Sequence, residues 1–221
     1  MFHILIKMNS LSVFISYSSS DKKIAGFLKS FIATFCGFSC FLAHEDILPS
    51  QNWEDKILIK LNASDLFIPL ISEKSLISPY VNQEVGMALA SKKPIIPIKI
   101  YLTNPFGFIS KIQALSCSSM TFEYLVKTVN QLFLLIIKDP SFSQFRDSAI
   151  NALTIALSQS VSFKNSRIIM AIYIESLQNI SLTPEQISSL KKVINSNKQV
   201  YSERYILPRF LKQITKINVD S

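Results

Sequence analysis

The order of apolar and polar positions divides the chain into two parts of different character. Over the first 137 residues, short apolar runs alternate with segments whose apolar residues recur at helical spacing. This alternation predicts a parallel sheet with crossover helices. The predicted strands cover residues 12–18, 39–43, 65–72 and 94–100, with a weaker one near 114–118. Two of them are almost wholly apolar, as expected for strands that are buried on both faces.

Helices are predicted between these strands. The first begins near Asp21 and ends at Gly37, a residue type that commonly terminates helices. The others begin near Trp53, at Pro79 and at Phe122. Pro69 conflicts with the third strand, because proline cannot donate a hydrogen bond to a sheet ladder. We expect either a bulge at that residue or a ladder position where no donor is needed.

The second part of the chain, residues 139–221, contains no convincing strand. Amphipathic helices are predicted over 142–156, 168–177, 187–194 and 207–217. Thr183 is a good helix cap, since proline follows it and Gln186 lies three residues later. We therefore predict an α/β domain over residues 1–138 and a small all-α region over residues 139–221.

Composition and charge exclude several classes of protein. Hydrophobic residues make up 48% and charged residues 17% of the chain, which is too apolar for a disordered protein. The net charge of +8 is spread evenly, with +4 in each part, so we expect no nucleic-acid partner. Such a diffuse excess suits an anionic ligand such as a dinucleotide. Three cysteines fit neither a disulfide framework nor a metal site, and no run is long enough to span a membrane. We expect a cytoplasmic protein.

The candidate chemistry lies where the strand order of such a sheet reverses. For the order 2-1-3-4-5, that crevice lies between the first and third strands, at their carboxyl ends. The first strand ends in a hydroxyl-rich turn that contains Ser16 and Tyr17 and leads into a helix N-terminus, where phosphates bind readily. Tyr80 and Glu84 are four residues apart, and so share one face of a helix. Glu84 also borders an apolar stripe, so we expect its carboxylate to be partly desolvated.

Five motifs give this pattern a family resemblance. They occur in the family's order and are FISYSSSDK (14–22), FLAHEDILPSQNW (41–53), DLFIPLIS (65–72), SPYVNQEVGMAL (78–89) and PIIPIKI (94–100). Together they resemble a bacterial TIR (Toll/interleukin-1 receptor) domain over residues 10–137. The resemblance implies a flavodoxin-like fold with a five-stranded parallel sheet.

The resemblance also implies an activity. Many bacterial and plant TIR domains hydrolyse or cyclise NAD with a glutamate on the helix that carries SPYVNQEVGMAL, and the matching residue is Glu84. NAD would be the substrate, with no separate cofactor and no metal. The chain has Tyr80 where the family usually has tryptophan, which keeps an aromatic face for stacking. It has Ser50 where the family often has glycine, which stiffens the preceding loop.

The remaining candidate substrate contacts have structural alternatives of equal or greater weight. Phe14, Ser16, Tyr17 and Asp46 are assigned to substrate binding together with Tyr80, but Phe14 and Tyr17 suit a strand core equally well. Asp46 suits an ordinary polar loop, as does the neighbouring His44. A further aromatic, Trp53, favours a packing role at the start of its helix.

A single carboxylate suits this reaction. Nicotinamide attached to ribose is cationic and leaves without protonation, while a nearby carboxylate stabilises an oxocarbenium-like transition state. The soluble architecture resembles the signal-generating TIR enzymes of Thoeris-type anti-phage defence. That likeness implies self-association and a separate effector protein activated by the product, either ADP-ribose or a cyclic isomer. The product, the trigger and the role of residues 139–221 stay open.

Three other functions compete with this interpretation. A non-enzymatic TIR scaffold acting through protein–protein assembly is the main alternative. A nucleoside-transferring enzyme of similar topology also stays open. A phosphoacceptor receiver is rejected, because it needs an aspartate at the end of the third strand, where this chain has Ser72.

Overall fold

The structure is a computed structural model, and it describes residues 10–43, 53–101, 103–178, 180–203 and 205–216. The chain divides into two compact units. An α/β unit comprises Leu11–Ile32 and Ser39–Val129, and a helical unit comprises Ala33–Phe38 with the chain from Asn130 onward. The helical unit thus takes residues from both sides of the predicted domain boundary at residue 138, which stays a prediction.

The α/β unit is built on a five-stranded parallel sheet. Its strands are β1 (Ser12–Ser16), β2 (Ser39–Leu42), β3 (Leu66–Ile71), β4 (Ile98–Ile100) and β5 (Leu115–Cys117). They lie in the order β2-β1-β3-β4-β5, and every described pairing is parallel. The predicted flavodoxin-like sheet is therefore confirmed. The order reverses at β1, so the crevice expected from the sequence lies between the carboxyl ends of β1 and β3.

Helices join these strands. They are α1 (Lys22–Cys36), α2 (Trp53–Ala63), α3 (Glu73–Leu76), α4 (Pro79–Ala90) and α5 (Phe122–Lys138). The predicted helices agree with four of these within one or two residues. The single turn α3 was not predicted, because it has no apolar periodicity of its own. It is stabilised by a reciprocal cap in which Ser72 and Ser75 satisfy each other's backbone N–H groups.

Pro69 lies in the middle of β3 without a bulge. The ladder between β3 and β4 pairs Phe67 with Ile95, and then resumes where Leu70 pairs with Ile98. Three steps along each strand separate the two pairings, so no extra residue is inserted. Pro69 lies in the interrupted stretch, and Pro97, which directly precedes β4, lies opposite that stretch. The second of the two expectations is therefore correct, since this ladder position requires no donor.

An apolar cluster on one face of the sheet supports α4. It joins β1 and β3 to α2 and α4, and its members are Phe14, Ala43, Ile57, Leu61, Phe67, Ile71, Val81, Val85, Ala88, Ile95 and Ile109. All six residues of β3 are buried, as its continuous apolar run predicted. This packing holds the buried face of α4 against the end of the sheet where the candidate chemistry lies.

The helical unit confirms the all-α prediction for the C-terminal part of the chain. It contains α6 (Arg146–Ser158), α7 (Phe163–Ser176), α8 (Pro184–Ser196), α9 (Lys198–Tyr201) and α10 (Leu207–Lys216). Thr183 and Gln186 form the predicted capping box at the start of α8. The short α9 was not predicted. Among the described residues, no helix combines the length and apolar character needed to cross a membrane.

Candidate active site

Glu84 is carried by a helix whose start is set by its own sequence. Ser78 caps α4 by accepting a hydrogen bond from the backbone of Val81, and Pro79 occupies the first helical position. Val81 and Val85 then face the sheet and are buried. Because Glu84 directly precedes Val85 and follows Val81 by three residues, the same packing draws its carboxylate inward, and only 2% of its surface is exposed.

One oxygen of the Glu84 carboxylate is bound and the other is not. The Ser16 hydroxyl, at the carboxyl end of β1, donates a hydrogen bond to Oε2 of Glu84. Oε1 is buried and has no hydrogen-bond partner among the described residues. A buried carboxylate oxygen left without a donor costs free energy, which a bound hydroxyl group would recover.

The surroundings of Glu84 change its ionisation. Burial raises its pKa from 4.5 to about 7, and the hydrogen bond from Ser16 opposes this rise. The cause is the loss of hydration, which disfavours the charged form. Near neutral pH the group is thus divided between its carboxylate and its acid. Carboxyl groups whose pKa is shifted in this way are concentrated at functional sites.

Glu84 lies at the wall of a pocket of about 390 Å³ between α2 and α4. The wall is formed by two helix faces, and its residues are Glu54, Ile57, Tyr80, Gln83, Glu84 and Met87. Tyr80 is about half exposed and precedes Glu84 by one turn. The volume falls in the range of small-ligand sites and suits part of a dinucleotide better than the whole of one.

A second polar contact crosses the switch point of the sheet. Ser72, which ends β3, donates its hydroxyl to Oδ2 of Asp21 at 2.5 Å. Asp21 ends a 3₁₀ turn before α1 and is largely buried. A carboxylate of the chain itself therefore stands at the helix N-terminus where the sequence favoured a bound phosphate. The sequence predicted that the ends of β1 and β3 meet, but not this contact, because a hydrogen bond between two particular side chains there depends on how the strands and α1 pack.

The structure brings some of the predicted site residues together. Glu84 contacts Ser16 and lines the pocket together with Tyr80. Phe14 is wholly buried and stacks on Phe67 at 5.7 Å between ring centres. Tyr17 is also wholly buried. Substrate contacts by Phe14 and Tyr17 stay predictions.

The loop candidates cannot be placed in this site. Asp46 and His44 lie outside the described residues, as does the side chain of Trp53, so their assigned roles also stay predictions.

Four pocket residues were missed by the sequence reasoning. Gln83 and Met87 follow Tyr80 by three and seven residues, so a full listing of that helix face would have found them. Glu54 and Ile57 come from another helix. Their presence depends on the contact between α2 and α4, for which the sequence carries no local signal.

The decisive comparison is with protein-family models. The model described as "TIR domain" matches residues 13–133, which is more than half of the chain. The chain belongs to the TIR-domain family. The matched range contains all five strands except Ser12, the first residue of β1. It also contains Tyr80 and Glu84 of the candidate site. Flavodoxin-like topology and family membership therefore agree.

Other comparisons add little to this assignment. Among curated proteins, none matches the chain. A solved structure, the TIR domain of the Toll-related receptor TRR-2 from Hydra magnipapillata, is similar to it at 20% sequence identity. The likeness covers 47% of this chain and 82% of that one, with a TM-score of 0.40. The family model alone therefore carries the assignment.

Proposed function

We propose that this TIR domain cleaves the bond between nicotinamide and ribose in NAD, with Glu84 as the catalytic carboxylate. The observation that carries the proposal is the state of Glu84. Its side chain is buried at the carboxyl edge of the sheet, one oxygen accepts from Ser16, and the other has no partner within the described part of the chain. A purely structural carboxylate would be expected to have both oxygens satisfied.

The chemistry needs one negative charge placed beside the anomeric carbon. Cleavage breaks the bond from C1′ of the ribose to the ring nitrogen, and the bonding electrons neutralise the cationic ring, so nicotinamide leaves uncharged. Positive charge then develops on the ribose, where ionised Glu84 stabilises it. The unsatisfied Oε1 is suited to accept a hydrogen bond from a ribose hydroxyl. Water can complete the reaction by adding to C1′ and losing a proton.

Tyr80 supports the same arrangement. Its ring lines the pocket one turn before Glu84 and is accessible there. An aromatic face beside the carboxylate can stack on the nicotinamide ring and attract its positive charge. By resemblance this position is usually tryptophan, so we propose that tyrosine performs the same task with a smaller face.

The wider role follows by resemblance. We propose that the product is an ADP-ribose-derived signal, linear or cyclic, made in a bacterial anti-phage system of the Thoeris type. The proposed partners are NAD, a second copy of the chain and a separate effector protein that binds the product. Light scattering on the full chain over a range of concentrations tests the self-association. A monomer at every concentration would contradict it.

Incubation of the full chain with NAD, followed by chromatography and mass analysis of the products, tests the activity. We expect loss of NAD and release of nicotinamide by the wild-type protein. Glu84→Gln should lose turnover far more than it loses affinity for NAD, because the charge acts mainly in the transition state. Glu73→Gln, on the exposed turn α3, is the matched control and should retain turnover.

Two results would contradict the assignment. Near wild-type turnover by a folded Glu84→Gln would show that another group is the catalytic carboxylate. Complete stability of NAD in the presence of the wild-type protein would favour the scaffold alternative.

A further inference from the structure

The pocket beside Glu84 has a second carboxylate on its opposite helix. Glu54 lies in the first turn of α2 and is exposed to solvent, while Glu84 lies on α4 and is buried. Ile57, one turn after Glu54, is buried against α4 and holds this face of α2 towards the pocket. The two glutamates therefore border the same cavity from different sides.

The described lining of this cavity carries negative charge. Among the described residues that line it, Glu54 and Glu84 are acidic, and none is lysine or arginine. Lys60 lies further along α2, where its ammonium group is 5.7 Å from the centre of the Phe41 ring and does not line the pocket. A negative pocket is unusual for a chain of net charge +8. It opposes the phosphates of a dinucleotide but favours a cationic ring.

We propose that Glu54 is a specificity-determining residue that makes this pocket select a positively charged pyridinium ring over a neutral ring of the same shape. The inference rests on the proposed function, in which the nicotinamide ring occupies the pocket. In its oxidised form the ring carries a positive charge, and in its reduced form it is neutral. Glu54 therefore acts in ground-state binding, as a separate group from the carboxylate that stabilises the transition state.

Three observations together place the cation here. Glu84 lines the cavity, and its buried Oε1 has no hydrogen-bond partner among the described residues. Tyr80 presents an aromatic ring that attracts cations to its face. Glu54 adds a carboxyl group at the exposed side of the pocket. Its charge supplements that of buried Glu84, which is partly protonated near neutral pH. A ring between these groups meets negative potential on each side.

An acidic residue at position 54 can also serve a purely structural role in α2. An acidic residue in the first turn of a helix stabilises that helix through its dipole. Asp55 lies in the same turn of α2 and has the same dipole advantage, but it does not line the pocket. Asp55→Asn is therefore a matched control for Glu54→Gln.

Binding of two small probes by the full chain tests the proposal without requiring turnover. The probes are 1-methylnicotinamide, which is cationic, and nicotinamide, which is neutral. We expect the wild-type protein and Asp55→Asn to prefer the cation about two- to fivefold at low ionic strength, the range typical of an exposed charge pair. The preference should shrink as salt is added. Glu54→Gln should clearly reduce it, because only Glu84 and Tyr80 then attract the cation, and Glu54→Asp should retain more of it than Glu54→Gln.

Kinetics with NAD provide a second measurement. For Glu54→Gln we expect the KM for NAD to rise by about two- to fivefold, and by more than any fall in kcat. Glu54→Lys should raise KM further, because its charge repels the ring. A merely structural role would instead change the melting temperature and affect Asp55→Asn equally.

The outcomes separate this inference from the proposed function. If NAD is cleaved but Glu54→Gln keeps the full cation preference, this inference is wrong and the proposed function stands. If NAD is not cleaved while the preference depends on Glu54, the pocket binds cations and the proposed function is wrong. A wild-type protein that shows no cation preference at low salt also overturns the inference.

Discussion

Ser16 donates its hydroxyl to Glu84 across 68 residues of sequence, joining the end of β1 to the buried face of α4. The contact places a carboxyl group of raised pKa at the point where the strand order reverses. It also orients the carboxylate, since one oxygen is held while the other, which is buried, has no hydrogen-bond partner among the described residues. The ionisation of Glu84 is therefore coupled to one hydroxyl group.

The pKa of Glu84 predicts how NAD cleavage depends on pH. In the proposed function the ionised carboxylate is the active form, and burial raises its pKa to about 7. We expect kcat/KM to increase about tenfold per pH unit well below that value and to level off above it. Initial rates between pH 5.5 and 9 check this. A rate that falls as the pH rises through 7 would show that the protonated acid is the active form.

The same shift predicts how Glu84 affects stability. The pKa is about 7 in the folded protein against 4.5 as the model value, so the folded state holds the extra proton between these pH values. The contribution of Glu84 to stability is then complete below pH 4.5 and is lost as the pH rises to 7. At pH 8, Glu84→Gln should be more stable than the wild-type protein by up to about 3 kcal/mol. At pH 4 the difference should be small.

Denaturant unfolding at both pH values measures this effect. Glu73→Gln serves as the control for a general change of charge, and it should show little difference between pH 4 and pH 8 relative to the wild-type protein. Equal stability of Glu84→Gln and the wild-type protein at pH 8 would mean that the buried carboxylate carries no desolvation cost.

Removal of the Ser16 hydroxyl should move the pH profile. The hydrogen bond from Ser16 lowers the pKa of Glu84, so Ser16→Ala should raise that pKa further. We expect the midpoint of the kcat/KM profile to shift to higher pH by about one unit, with activity largely restored by pH 9. Ser18→Ala, two residues along the chain, should leave the midpoint in place. A uniform loss of activity at every pH would instead indicate that Ser16 contacts the substrate.

Alanine should change folding stability in opposite directions at Gly26, within α1, and at Gly37, which directly follows α1. Gly37 has a φ of 73°, and an added Cβ would lie 2.0 Å from the Ala152 carbonyl oxygen. Gly37→Ala should therefore cost about 2–4 kcal/mol of folding free energy, from backbone strain and overpacking. Gly26 has open space around it, so Gly26→Ala should stabilise the protein by about 0.5–1 kcal/mol. Thermal unfolding measures both, and a neutral Gly37→Ala would show that α6 can shift away.

Local signals in the sequence were sufficient for the strands and the long helices of this fold, but not for the single turns α3 and α9. The apolar run of β3, the glycine that ends α1 and the Thr183 cap of α8 each reflect short-range physics, and each was predicted near its observed position. Pro69 shows where such reasoning stops. Whether a proline is tolerated in a strand depends on which neighbour its N–H group would have faced, and that neighbour is β4.

In the candidate site, too, some features follow from local sequence and others only from tertiary packing. Helical spacing places Tyr80 and Glu84 on one face, and motif order identifies Glu84 as the candidate carboxylate, so these two were determined by the sequence. The hydrogen bond from Ser16, the pairing of Asp21 with Ser72 and the approach of Glu54 to the pocket were decided by tertiary structure alone. The physical reason is that burial and hydrogen bonding between distant segments depend on how the sheet and helices pack, and no local pattern records that packing.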